Sequence, residues 1–547
     1  MKVALIQINC IVGDFAGNCE KIRLGAEQAA AAGCRLAVFP EMSVSGYPPQ
    51  DLLERESFLK AQDAALDQLA LQLPNIDVML GCIYTKYGEP RRLYNCAAVY
   101  RRGVVVHRST KKLLPTYDVF DEARWFTTDT QTSLYEVDGL SFGVTVCEDI
   151  WAEEMPGYDV NPVNDILACA SEEGCHLSGI INISASPFTR GKYIQRLAIL
   201  DRFRFVHNLP FFYCNQVGGQ DSLIFDGRSV VMTANGEIAA RAKGFAEDMV
   251  VYNTETGEGE LHETVERTQT SAMWDALVLG VKDYAGKNGF TSAVLGLSGG
   301  IDSALTAVLA VEAFGAENVL TVAMPSPYSS QGSMDDARAL AQNLGVHFEV
   351  QPIGDLFAAF NTQLAGLFAG REEDVTEQNL QARIRGNLLM AISNKFGHLL
   401  LTTGNKSEIA VGYCTLYGDM CGGLGVISDL LKGDVYELSR YANRGGEVIP
   451  QSIIEKAPSA ELKPGQKDQD ELPEYDQLDQ IIVMTIEEAK GIEEIVAAGF
   501  ERVMVEDVLR RIRINEYKRK QAALGLKVRP RAFGIGRRYP NVQNFRG

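Results

Sequence analysis

Three residues with reactive side chains each follow a short apolar run within the first 150 residues. They are Glu41, Lys111 and Cys147. A cysteine nucleophile needs thiolate character, which a neighbouring ammonium stabilises, and a carboxylate can accept its proton. A carboxylate, an ammonium and a thiol that meet in one place can therefore attack an amide and release ammonia.

Each of these residues also has a plainer explanation. A cysteine at the end of an apolar strand is usually packed in a core, and a lone glutamate or a Lys-Lys pair is usually a solvated surface charge. All three side chains lie at the ends of predicted strands, where functional loops tend to be. Their joint occurrence favours the chemical interpretation.

Residues 1–250 resemble the nitrilase (carbon–nitrogen hydrolase) superfamily. The resemblance rests on the segments VFPE, KKLLPTY and TVCEDIW, which contain Glu41, Lys111 and Cys147 in the family's order. It implies that Glu41 is the general base, that Lys111 stabilises a tetrahedral oxyanion and that Cys147 is the nucleophile. The family's lysine precedes the Leu of its KxxLP segment by three residues, which selects Lys111 and leaves Lys112 as the alternative.

The same resemblance implies contacts with a glutamine substrate. They would come from Tyr117, Ser186 and Lys192, in the segments LPTY and SASPFTRGK. Ser184 and Arg190 have the same six-residue spacing and remain the alternative pair. Further side chains are implied near the cysteine as supporting groups: Tyr47, Glu122 and Glu148.

A second group of residues forms a glycine-rich turn at 298–303 (SGGIDS), between a predicted strand at 292–297 and a predicted helix at 303–314. Glycines let the backbone approach a phosphate, serine hydroxyls and the start of a helix supply donors, and Asp302 can hold a divalent cation. The Walker pattern GxxxxGK[ST] is absent from the sequence, so this is a different kind of phosphate loop. An ordinary turn at a helix start is the alternative.

The turn resembles the ATP-binding loop of the N-type ATP pyrophosphatases, which activate an oxygen with ATP and expel pyrophosphate. Other segments of 270–547 resemble the NAD synthetase family: MPSPYSS (324–330), EQNLQARIRG (377–386), TTGNKSE (402–408), YGDM (417–420) and PSAEL (458–462).

The second resemblance implies ATP as a substrate, Mg²⁺ as a cofactor and deamido-NAD⁺ as the molecule that is activated. Mg²⁺ would be held by Asp302 and Glu408, and deamido-NAD⁺ would contact Asn379, Glu408 and Lys518. Leu416 departs from the family pattern at a position where ammonia-dependent relatives tend to have a lysine, so no contact is implied there. The implied ATP contacts are Gly296, Leu297, Ser298, Gly299, Gly300, Ile301, Asp302, Ser303 and Thr403, with Lys432 and Ser459 as further phosphate contacts.

Several of these residues also fit ordinary structural roles. Lys432 could be a solvated charge in a turn, and Asn379 could cap a helix. Thr403 and Glu408 fit a loop followed by a helix start.

The order of predicted elements indicates two α/β domains. For residues 1–252 the resemblance implies a nitrilase-like α-β-β-α sandwich. Residues 253–269 are polar and acidic, which predicts a linker. Residues 270–547 repeat strand–turn–helix, which predicts a Rossmann-like open parallel sheet with ligands at the carboxyl ends of its strands. The resemblance implies, more specifically, a fold of the adenine nucleotide α-hydrolase type.

Three local patterns give more detailed predictions. The β-rich run 97–107 predicts one strand, and the run 51–73 predicts one helix that stops before Pro74. The pair Asn235-Gly236 predicts a tight hairpin.

Composition limits the classes of function. The chain has 547 residues with 52 Lys/Arg and 71 Asp/Glu, a net charge of −19. This acidity argues against a general binder of nucleic acid or of anionic membranes, and no run of about 18 apolar residues predicts a transmembrane helix. The 11 cysteines form no CxxC pair and the 6 histidines show no zinc-type spacing, which favours reduced thiols in the cytoplasm.

The segment 510–538 departs from the acidic average, with eleven Lys/Arg and a single acidic residue, Glu516. We expect it either to attract anionic substrates or to form a solvated basic face.

Together the two resemblances imply a carbon–nitrogen ligase. One half would release ammonia from glutamine, and the other half would adenylate deamido-NAD⁺ with ATP and amidate it to NAD⁺, with AMP, pyrophosphate and glutamate as the other products. A dry passage would keep the ammonia unprotonated. Nitrilase-like domains commonly pair, which implies a homo-oligomer. The alternatives are a GMP- or asparagine-type synthetase, an amidase whose second half senses ATP, and a nucleotide-binding scaffold without turnover.

Overall fold

A computed structural model describes residues 1–86, 92–155, 157–264 and 267–545. The chain divides into two compact units, Met1–Arg267 (unit 1) and Thr268–Gly547 (unit 2). Within the described ranges, no helix is both long enough and apolar enough to cross a membrane.

The elements of unit 1 alternate strands and helices before an antiparallel stretch of short strands. The described helices are α1 (Phe15–Ala31), α2 (Glu56–Ala70), α3 (Pro162–Glu172) and α4 (Lys192–His207). The described strands are β1 (Lys2–Gln7), β2 (Leu36–Val38), β3 (Asp77–Thr85), β4 (Leu93–Arg101), β5 (Val104–Thr110), β6 (Tyr135–Val137), β7 (Leu140–Val146), β8 (Leu177–Ser184), β9 (Phe211–Asn215), β10 (Val217–Gln220), β11 (Leu223–Asp226), β12 (Val230–Met232), β13 (Ile238–Arg241) and β14 (Asp248–Asn253).

Two sheets form the centre of unit 1. The first has the order β14-β1-β2-β3-β4-β5 and the second the order β13-β12-β9-β8-β7-β6, with β10 and β11 as a separate hairpin. One buried cluster joins the facing sides of both sheets and includes Leu5, Val38, Val144 and Phe212. Side chains alternate along a strand, so every second residue points to the outer face of its sheet. Many of these outward-facing residues are apolar too, and they need a cover.

Helices cover both outer faces. Ile22 of α1 and Leu66 of α2 pack against the outer side of the first sheet. Val163 of α3 and Leu200 of α4 pack against the outer side of the second. Unit 1 is therefore an α-β-β-α sandwich, as the sequence resemblance implied.

Local signals explain where several of these elements begin and end. Asp14 caps α1 by accepting a hydrogen bond of 2.9 Å from the Gly17 amide, and Asn161 caps α3 immediately before Pro162. The Asn235-Gly236 pair joins β12 and β13, which are antiparallel, so that hairpin prediction is confirmed.

Two predictions of elements in unit 1 were wrong. The run 97–107 is not one strand, because Arg102 turns the chain with a φ of 52° and makes the antiparallel hairpin of β4 and β5. Arg-Gly is not among the residue pairs that usually mark a two-residue turn. The run 51–73 is a short 3₁₀ helix, Gln50–Glu54, followed by α2, because the extended Arg55 separates them.

Unit 2 contains short strands and many helices. The described strands are β15 (Ala293–Gly296), β16 (Val319–Ala323), β17 (His347–Val350), β18 (Leu399–Thr402) and β19 (Leu424–Gly425). The described helices are α5 (Gln269–Lys287), α6 (Ile301–Phe314), α7 (Gln331–Leu344), α8 (Gly354–Leu364), α9 (Val375–Phe396), α10 (Lys406–Val411), α11 (Lys432–Ala442), α12 (Gln451–Glu455), α13 (Tyr475–Ile482), α14 (Ile492–Ala497), α15 (Arg502–Ile514) and α16 (Glu516–Arg519).

The sheet of unit 2 is parallel throughout, with the strand order β17-β16-β15-β18-β19. Val294, Val322 and Leu400 pack on one side of it against α8 and α9, while α6 contacts β15 and β16. The chain runs outward from β15 to β17 and then returns to place β18 on the other side of β15. This parallel sheet and its strand order confirm the predicted fold class. In open α/β sheets, ligands bind at the carboxyl ends of the strands at such a reversal of strand order.

The first part of the predicted linker, residues 253–269, contacts strands of unit 1. Single β-bridges join Tyr252 to Gly259 and Arg241 to Leu261. Residues 265 and 266 of that segment lie outside the described residues. Thr268 then caps α5 by accepting a hydrogen bond from the Ser271 amide.

Candidate active sites

In unit 1, Glu41 lies in the turn after β2 and is fully buried. Its Oε1 accepts hydrogen bonds from Lys111 Nζ (2.9 Å) and Asn95 Nδ2 (2.6 Å), and its Oε2 accepts one from the Ala185 amide (2.8 Å). Gly81 of β3 supports this turn, because a Cβ added there would lie 2.2 Å from the Met42 nitrogen. The turn that carries Glu41 therefore packs directly on a neighbouring strand that has room only for glycine.

Lys111 follows β5 and places its ammonium between two buried carboxylates. Its Nζ lies 2.9 Å from Glu41 Oε1 and 2.7 Å from Glu122 Oε1. Burial alone would lower the pKa of Lys111, but Glu122 and Glu41 outweigh it and hold the pKa well above its usual value. Burial and the nearby Glu41 raise the pKa of Glu122 to about 7, although Lys111 opposes the shift. Tyr47 donates a hydrogen bond of 2.8 Å to the same Glu122 oxygen.

Cys147 directly follows β7 and is the first residue of a short 3₁₀ helix, Cys147–Ile150. Its φ of 44° is uncommon for a residue with a side chain, and such strained positions concentrate at functional sites. Burial, Glu41 and other nearby acids raise the pKa of Cys147 well above its usual value, while Lys111 opposes them. Cys147 is therefore a neutral thiol within the electrostatic range of Glu41 and Lys111.

The two candidate lysines separate in space. The ammonium of Lys112 lies 2.7 Å from Asp165 of α3, and its backbone amide donates to Asp149 Oδ1. The structure brings Lys111, and not Lys112, next to Glu41. Asp149 also accepts a hydrogen bond of 2.9 Å from the Val146 amide, so it joins the residue before Cys147 to the segment that carries the two lysines.

Glu148, which follows the cysteine, binds two tyrosines. Tyr117 donates a hydrogen bond of 2.9 Å to Glu148 Oε1, and Tyr158 donates one of 3.0 Å to the same oxygen. Tyr117 is thus held by the residue that directly follows Cys147. Tyr158 is a neighbour that sequence reasoning missed, since nothing in its segment marks it.

Ser184 and Ser186 occupy different surroundings. Ser184 Oγ donates to Asn182 Oδ1 (2.6 Å) inside β8, whereas Ser186 lies in the following loop, where its amide donates to Asn215 Oδ1 (2.9 Å). Lys192 begins α4 with its ammonium 4.1 Å from the centre of the Trp151 ring. Trp151 directly follows the 3₁₀ helix of Cys147, so the structure places Lys192, like Tyr117, near the cysteine loop.

In unit 2, a cavity of about 650 Å³ lies at the carboxyl ends of the parallel strands. All residues predicted to contact ATP or deamido-NAD⁺ line it: Gly296, Leu297, Ser298, Gly299, Gly300, Ile301, Asp302, Ser303, Thr403, Asn379, Glu408 and Lys518, together with Lys432 and Ser459. Residues as far apart in the sequence as Gly296 and Lys518 thus surround one space.

The segment 298–303 contains most of the connection after β15 and the first three residues of α6. The hydroxyls of Ser298 and Ser303 lie 3.1 Å apart, and Ser298 Oγ accepts a hydrogen bond of 3.2 Å from the Gly300 amide. No side chain caps the start of α6, which leaves its first amides facing the cavity side of the loop. Gly299 has a φ of 79°, and a Cβ there would lie 2.2 Å from the Ser333 carbonyl oxygen, so α7 packs tightly against the loop.

Asp302 and Glu408 meet at a shared lysine. Lys432 Nζ lies 2.6 Å from Asp302 Oδ2 and 3.0 Å from Glu408 Oε1. Burial and the nearby Asp302 raise the pKa of Glu408 to about 7, although Lys432 opposes the shift. Asn405 donates a hydrogen bond of 2.8 Å to Asp302 Oδ1, and Tyr475 lies 3.4 Å from Glu408 Oε1. Lys432 is almost fully buried, so it is not the solvated turn charge of the alternative interpretation.

The donor set fits the predicted Mg²⁺. The described residues contain no group of three or more His, Cys, Asp or Glu that could hold a metal ion by themselves. Mg²⁺ is usually held by one or two carboxylates together with substrate phosphates and water. Asp302 and Glu408, whose oxygens converge on one ammonium beside the phosphate loop, match that requirement.

The predicted deamido-NAD⁺ contacts also bind protein groups. Asn379 Oδ1 accepts a hydrogen bond of 2.7 Å from Thr415 Oγ1. Lys518 donates to the carbonyls of Gly412 and Cys414, both at 2.8 Å, and so holds the end of α10. Ser459, a predicted ATP phosphate contact, likewise binds a protein group, since its Oγ donates to the Gln466 carbonyl (2.6 Å).

Sequence reasoning missed two cations that line the cavity. Arg385 donates to the Met324 carbonyl at 3.0 Å, and burial lowers its pKa to about 10. Lys456 lies against the phosphate loop, 3.4 Å from the Gly299 carbonyl oxygen. The position of Lys456, two residues before the PSAEL segment, was the signal that could have found it.

Part of the basic segment 510–538 lines the cavity of unit 2, and another part forms buried ion pairs that neither expectation included. Arg510, Arg511 and Lys518 line the cavity. Arg519 instead pairs with Glu516 (2.9 Å), and Arg529 pairs with Asp434 (2.8 Å) and Glu487 (2.7 Å) in buried surroundings. Much of the excess positive charge therefore stabilises the fold and does not face solvent.

Two family models match the chain, one for each unit. The model for carbon–nitrogen hydrolases matches residues 2–256, and the model for NAD synthases matches residues 273–522.

Full-length relatives carry both parts in the same order. The chain is 46% identical over 556 residues to the glutamine-dependent NAD(+) synthetase of a Synechocystis species, covering 99% of each chain. It is 43% identical over 585 residues to that of Thermotoga maritima, covering 100% of this chain and 99% of the relative. A solved structure from Acinetobacter baumannii, a glutamine-dependent NAD+ synthetase in complex with adenosine diphosphate, is 40% identical with a TM-score of 0.78 over 99% of this chain and 98% of that one. The chain belongs to the glutamine-dependent NAD(+) synthetase family.

Proposed function

We propose that the chain makes NAD⁺ from deamido-NAD⁺, ATP, glutamine and water, and releases AMP, pyrophosphate and glutamate. The observation that carries the proposal is the presence, in one chain, of two complementary sites. One contains the buried Glu41, Lys111 and Cys147, and the other is a cavity built on the 298–303 phosphate loop. The first chemistry supplies the ammonia that the second consumes.

In unit 1, Cys147 attacks the amide carbon of glutamine while Glu41 accepts the Sγ proton. The three donors around Glu41 hold its carboxylate in place for this transfer. Negative charge that develops on the amide oxygen is stabilised by the ammonium of Lys111, whose effect is strong because the site is buried. Glu41 then gives its proton to the departing ammonia, and it activates the water that hydrolyses the thioester to glutamate.

The glutamine substrate would be held by Tyr117, Ser186 and Lys192. Tyr117 is fixed by its hydrogen bond to Glu148, and the loop of Ser186 is fixed by Asn215. Glu122 keeps Lys111 charged and aligned, because its carboxylate balances the ammonium.

In unit 2, the nicotinate carboxylate of deamido-NAD⁺ attacks the α-phosphorus of ATP, and pyrophosphate leaves. The hydroxyls of Ser298 and Ser303 and the first amides of α6 donate hydrogen bonds to the phosphates. Ammonia then attacks the adenylated carbonyl carbon and displaces AMP. When Mg²⁺ is bound, Asp302 and Glu408 would hold it, and it would neutralise charge on the phosphates. Asn379 and Lys518 would orient the dinucleotide.

The proposal extends to the setting of the enzyme. All eleven cysteines are free thiols, which supports the reducing cytoplasm as its location. The homo-oligomer rests on the resemblance of unit 1 to nitrilases, and light scattering of the purified full chain measures it directly.

A product assay tests the proposed function. The full chain is incubated with deamido-NAD⁺, ATP and Mg²⁺, with either glutamine or ammonium as nitrogen source, and NAD⁺, AMP, pyrophosphate and glutamate are quantified. We expect one equivalent of NAD⁺, AMP and pyrophosphate with either source. XMP or aspartate in place of deamido-NAD⁺ should give no product. Glutamine hydrolysis without pyrophosphate release would contradict the proposal and favour an amidase.

A further inference from the structure

Lys456 is a cation beside the phosphate loop for which the proposed mechanism above has no use. It follows α12, lines the cavity of unit 2, and exposes about a third (32%) of its side chain. Its Nζ lies 3.4 Å from the Gly299 carbonyl oxygen, 3.1 Å from Ser333 Oγ and 2.5 Å from Asp336 Oδ2. Its ammonium is thus held between the loop and the start of α7.

The other cations of the cavity are committed to different groups. Lys432 is buried between Asp302 and Glu408. Lys518 donates to two backbone carbonyls at the end of α10, and Arg511 pairs with Asp507 at 2.6 Å. Lys456 differs because one of its acceptors, the Gly299 carbonyl, belongs to the backbone of the phosphate loop, and this contact is long, at the limit of hydrogen-bond distance.

Lys456 and Lys432 lie at opposite ends of the same short loop. Lys432 binds the Asp302 side chain, near the end of the loop, and Lys456 contacts Gly299, near its beginning. Phosphates that bind along this loop would therefore lie between two ammonium groups. A departing pyrophosphate carries three to four negative charges at neutral pH, and charge on a leaving group is best stabilised by cations that are already in place.

We propose that Lys456 is a catalytic residue that binds the β- and γ-phosphates of ATP and stabilises the departing pyrophosphate. This inference rests on the proposed function of unit 2. As the carboxylate oxygen bonds to the α-phosphorus, the bond from that phosphorus to the bridging oxygen breaks, and its electron pair stays on the pyrophosphate. Lys456 donates a hydrogen bond to this anion in place of its long bond to Gly299, and keeps its pairing with Asp336.

The test compares Lys456→Gln with Lys463→Gln. Lys463 lies seven residues along the same connection, is similarly exposed (39%), and pairs with Glu471 and not with the loop. Pyrophosphate binding to the full chain is measured by calorimetry, AMP binding is measured in the same way, and NAD⁺ synthesis is followed with ammonium as nitrogen source. We expect Lys456→Gln to weaken pyrophosphate binding and raise the KM for ATP by about 10-fold or more, the size of one charge-assisted hydrogen bond.

AMP separates a direct contact from a structural role. AMP lacks the β- and γ-phosphates, so its affinity should stay within about twofold of wild type, and Lys456→Arg should restore much of the pyrophosphate affinity. Equal weakening of AMP and pyrophosphate would show that Lys456 only supports the loop, and unchanged pyrophosphate affinity would also overturn the proposal. Wild-type protein that binds pyrophosphate but makes no NAD⁺ would instead contradict the proposed function.

Discussion

Burial sets the protonation state of the side chains proposed to react in unit 1. Without water to solvate them, Cys147 stays a neutral thiol and Glu122 titrates near neutral pH, with a pKa raised to about 7 by burial. Lys111 stays charged because two carboxylates contact it. A neutral thiol needs a base at the moment of attack, which is the role proposed for Glu41.

Replacing the proposed nucleophile should separate the two chemistries. We expect Cys147→Ala to abolish NAD⁺ synthesis from glutamine and to leave synthesis from ammonium near the wild-type rate, because unit 2 keeps its residues. The measurement is NAD⁺ formation with each nitrogen source. Cys169→Ala, a half-exposed cysteine on α3, is the control and should retain both activities. Equal loss of both activities in Cys147→Ala would contradict the assignment of the two units.

Asp302 should be needed whichever nitrogen source is used. Asp302→Asn keeps the shape of the side chain but removes the charge that pairs with Lys432 at 2.6 Å and that would hold Mg²⁺. We expect pyrophosphate release and NAD⁺ formation to fall by about 100-fold or more, the scale of losing one charged stabiliser of a transition state. A normal rate of pyrophosphate release would refute the metal assignment. Asp335→Asn, an exposed carboxylate near the start of α7, is the control.

At the scale of elements, both sites lie where strands end. Cys147 follows β7 and Glu41 follows β2, and the phosphate loop and Thr403 follow β15 and β18. Side chains at neighbouring strand ends converge without long loops, and a packed sheet holds them in place. Small changes in the packing of a strand should therefore displace a reactive group.

Gly81 offers a direct test of that link. In Gly81→Ala the added methyl would lie 2.2 Å from the Met42 nitrogen and 2.6 Å from the Glu41 carbonyl carbon, so the turn of Glu41 must shift. We expect glutamine-dependent synthesis to fall by at least about 10-fold, since a displacement of about 1 Å can cost 100-fold. Ammonium-dependent synthesis in the same variant is the internal control.

A second glycine controls for the substitution itself. Gly286→Ala in α5 adds a methyl that meets nothing within 4 Å, and it should leave both activities unchanged. If Gly81→Ala used glutamine at the wild-type rate, the packing of β3 against the Glu41 turn would not control its position.

For the whole molecule, the net charge of −19 hides an uneven distribution. The basic residues near the carboxyl end are partly used as buried ion pairs, as in Arg529 with Glu487 and Asp434. Others line the cavity of unit 2. An acidic protein can in this way bind anionic nucleotides while its average charge disfavours polyanions.

Global stability should depend on His107 at acid pH. Burial lowers the pKa of His107 to about 4. Between pH 6.5 and about 4 the unfolded chain binds a proton at this residue and the folded chain does not, so stability falls as the pH falls through this range. This difference between the folded and unfolded pKa values corresponds to a loss of about 3 kcal/mol in the free energy of unfolding at the acid end of the range.

Urea unfolding of unit 1 in the full chain, followed at pH 7 and pH 4.5, measures this effect. His107→Gln cannot gain that proton, so we expect it to lose less stability on acidification than wild type. His176→Gln, an exposed histidine, should behave as wild type. A difference between wild type and His107→Gln that is the same at both pH values would refute this prediction.

The sequence predicted the classes of the main elements, and it singled out residues that the structure gathers around the two candidate sites. The 298–303 loop was recognisable because its glycines and serines are adjacent, and its strand and helix were confirmed with their ends shifted by one or two residues. The hairpin of β4 and β5 was missed because Arg102 adopts the left-handed region without the usual turn residues.

What only the tertiary structure decided is which distant residues share a space. The family spacing selected Lys111 but left Lys112 as the alternative, since both follow the same strand. The fold turns the ammonium of Lys111 to Glu41 and that of Lys112 to Asp165. Lys456 was not predicted, because its nearness to Gly299 depends on a contact across 157 residues. Local propensity and motif chemistry act between neighbours along the chain, whereas burial, charge pairing and close packing act between neighbours in space.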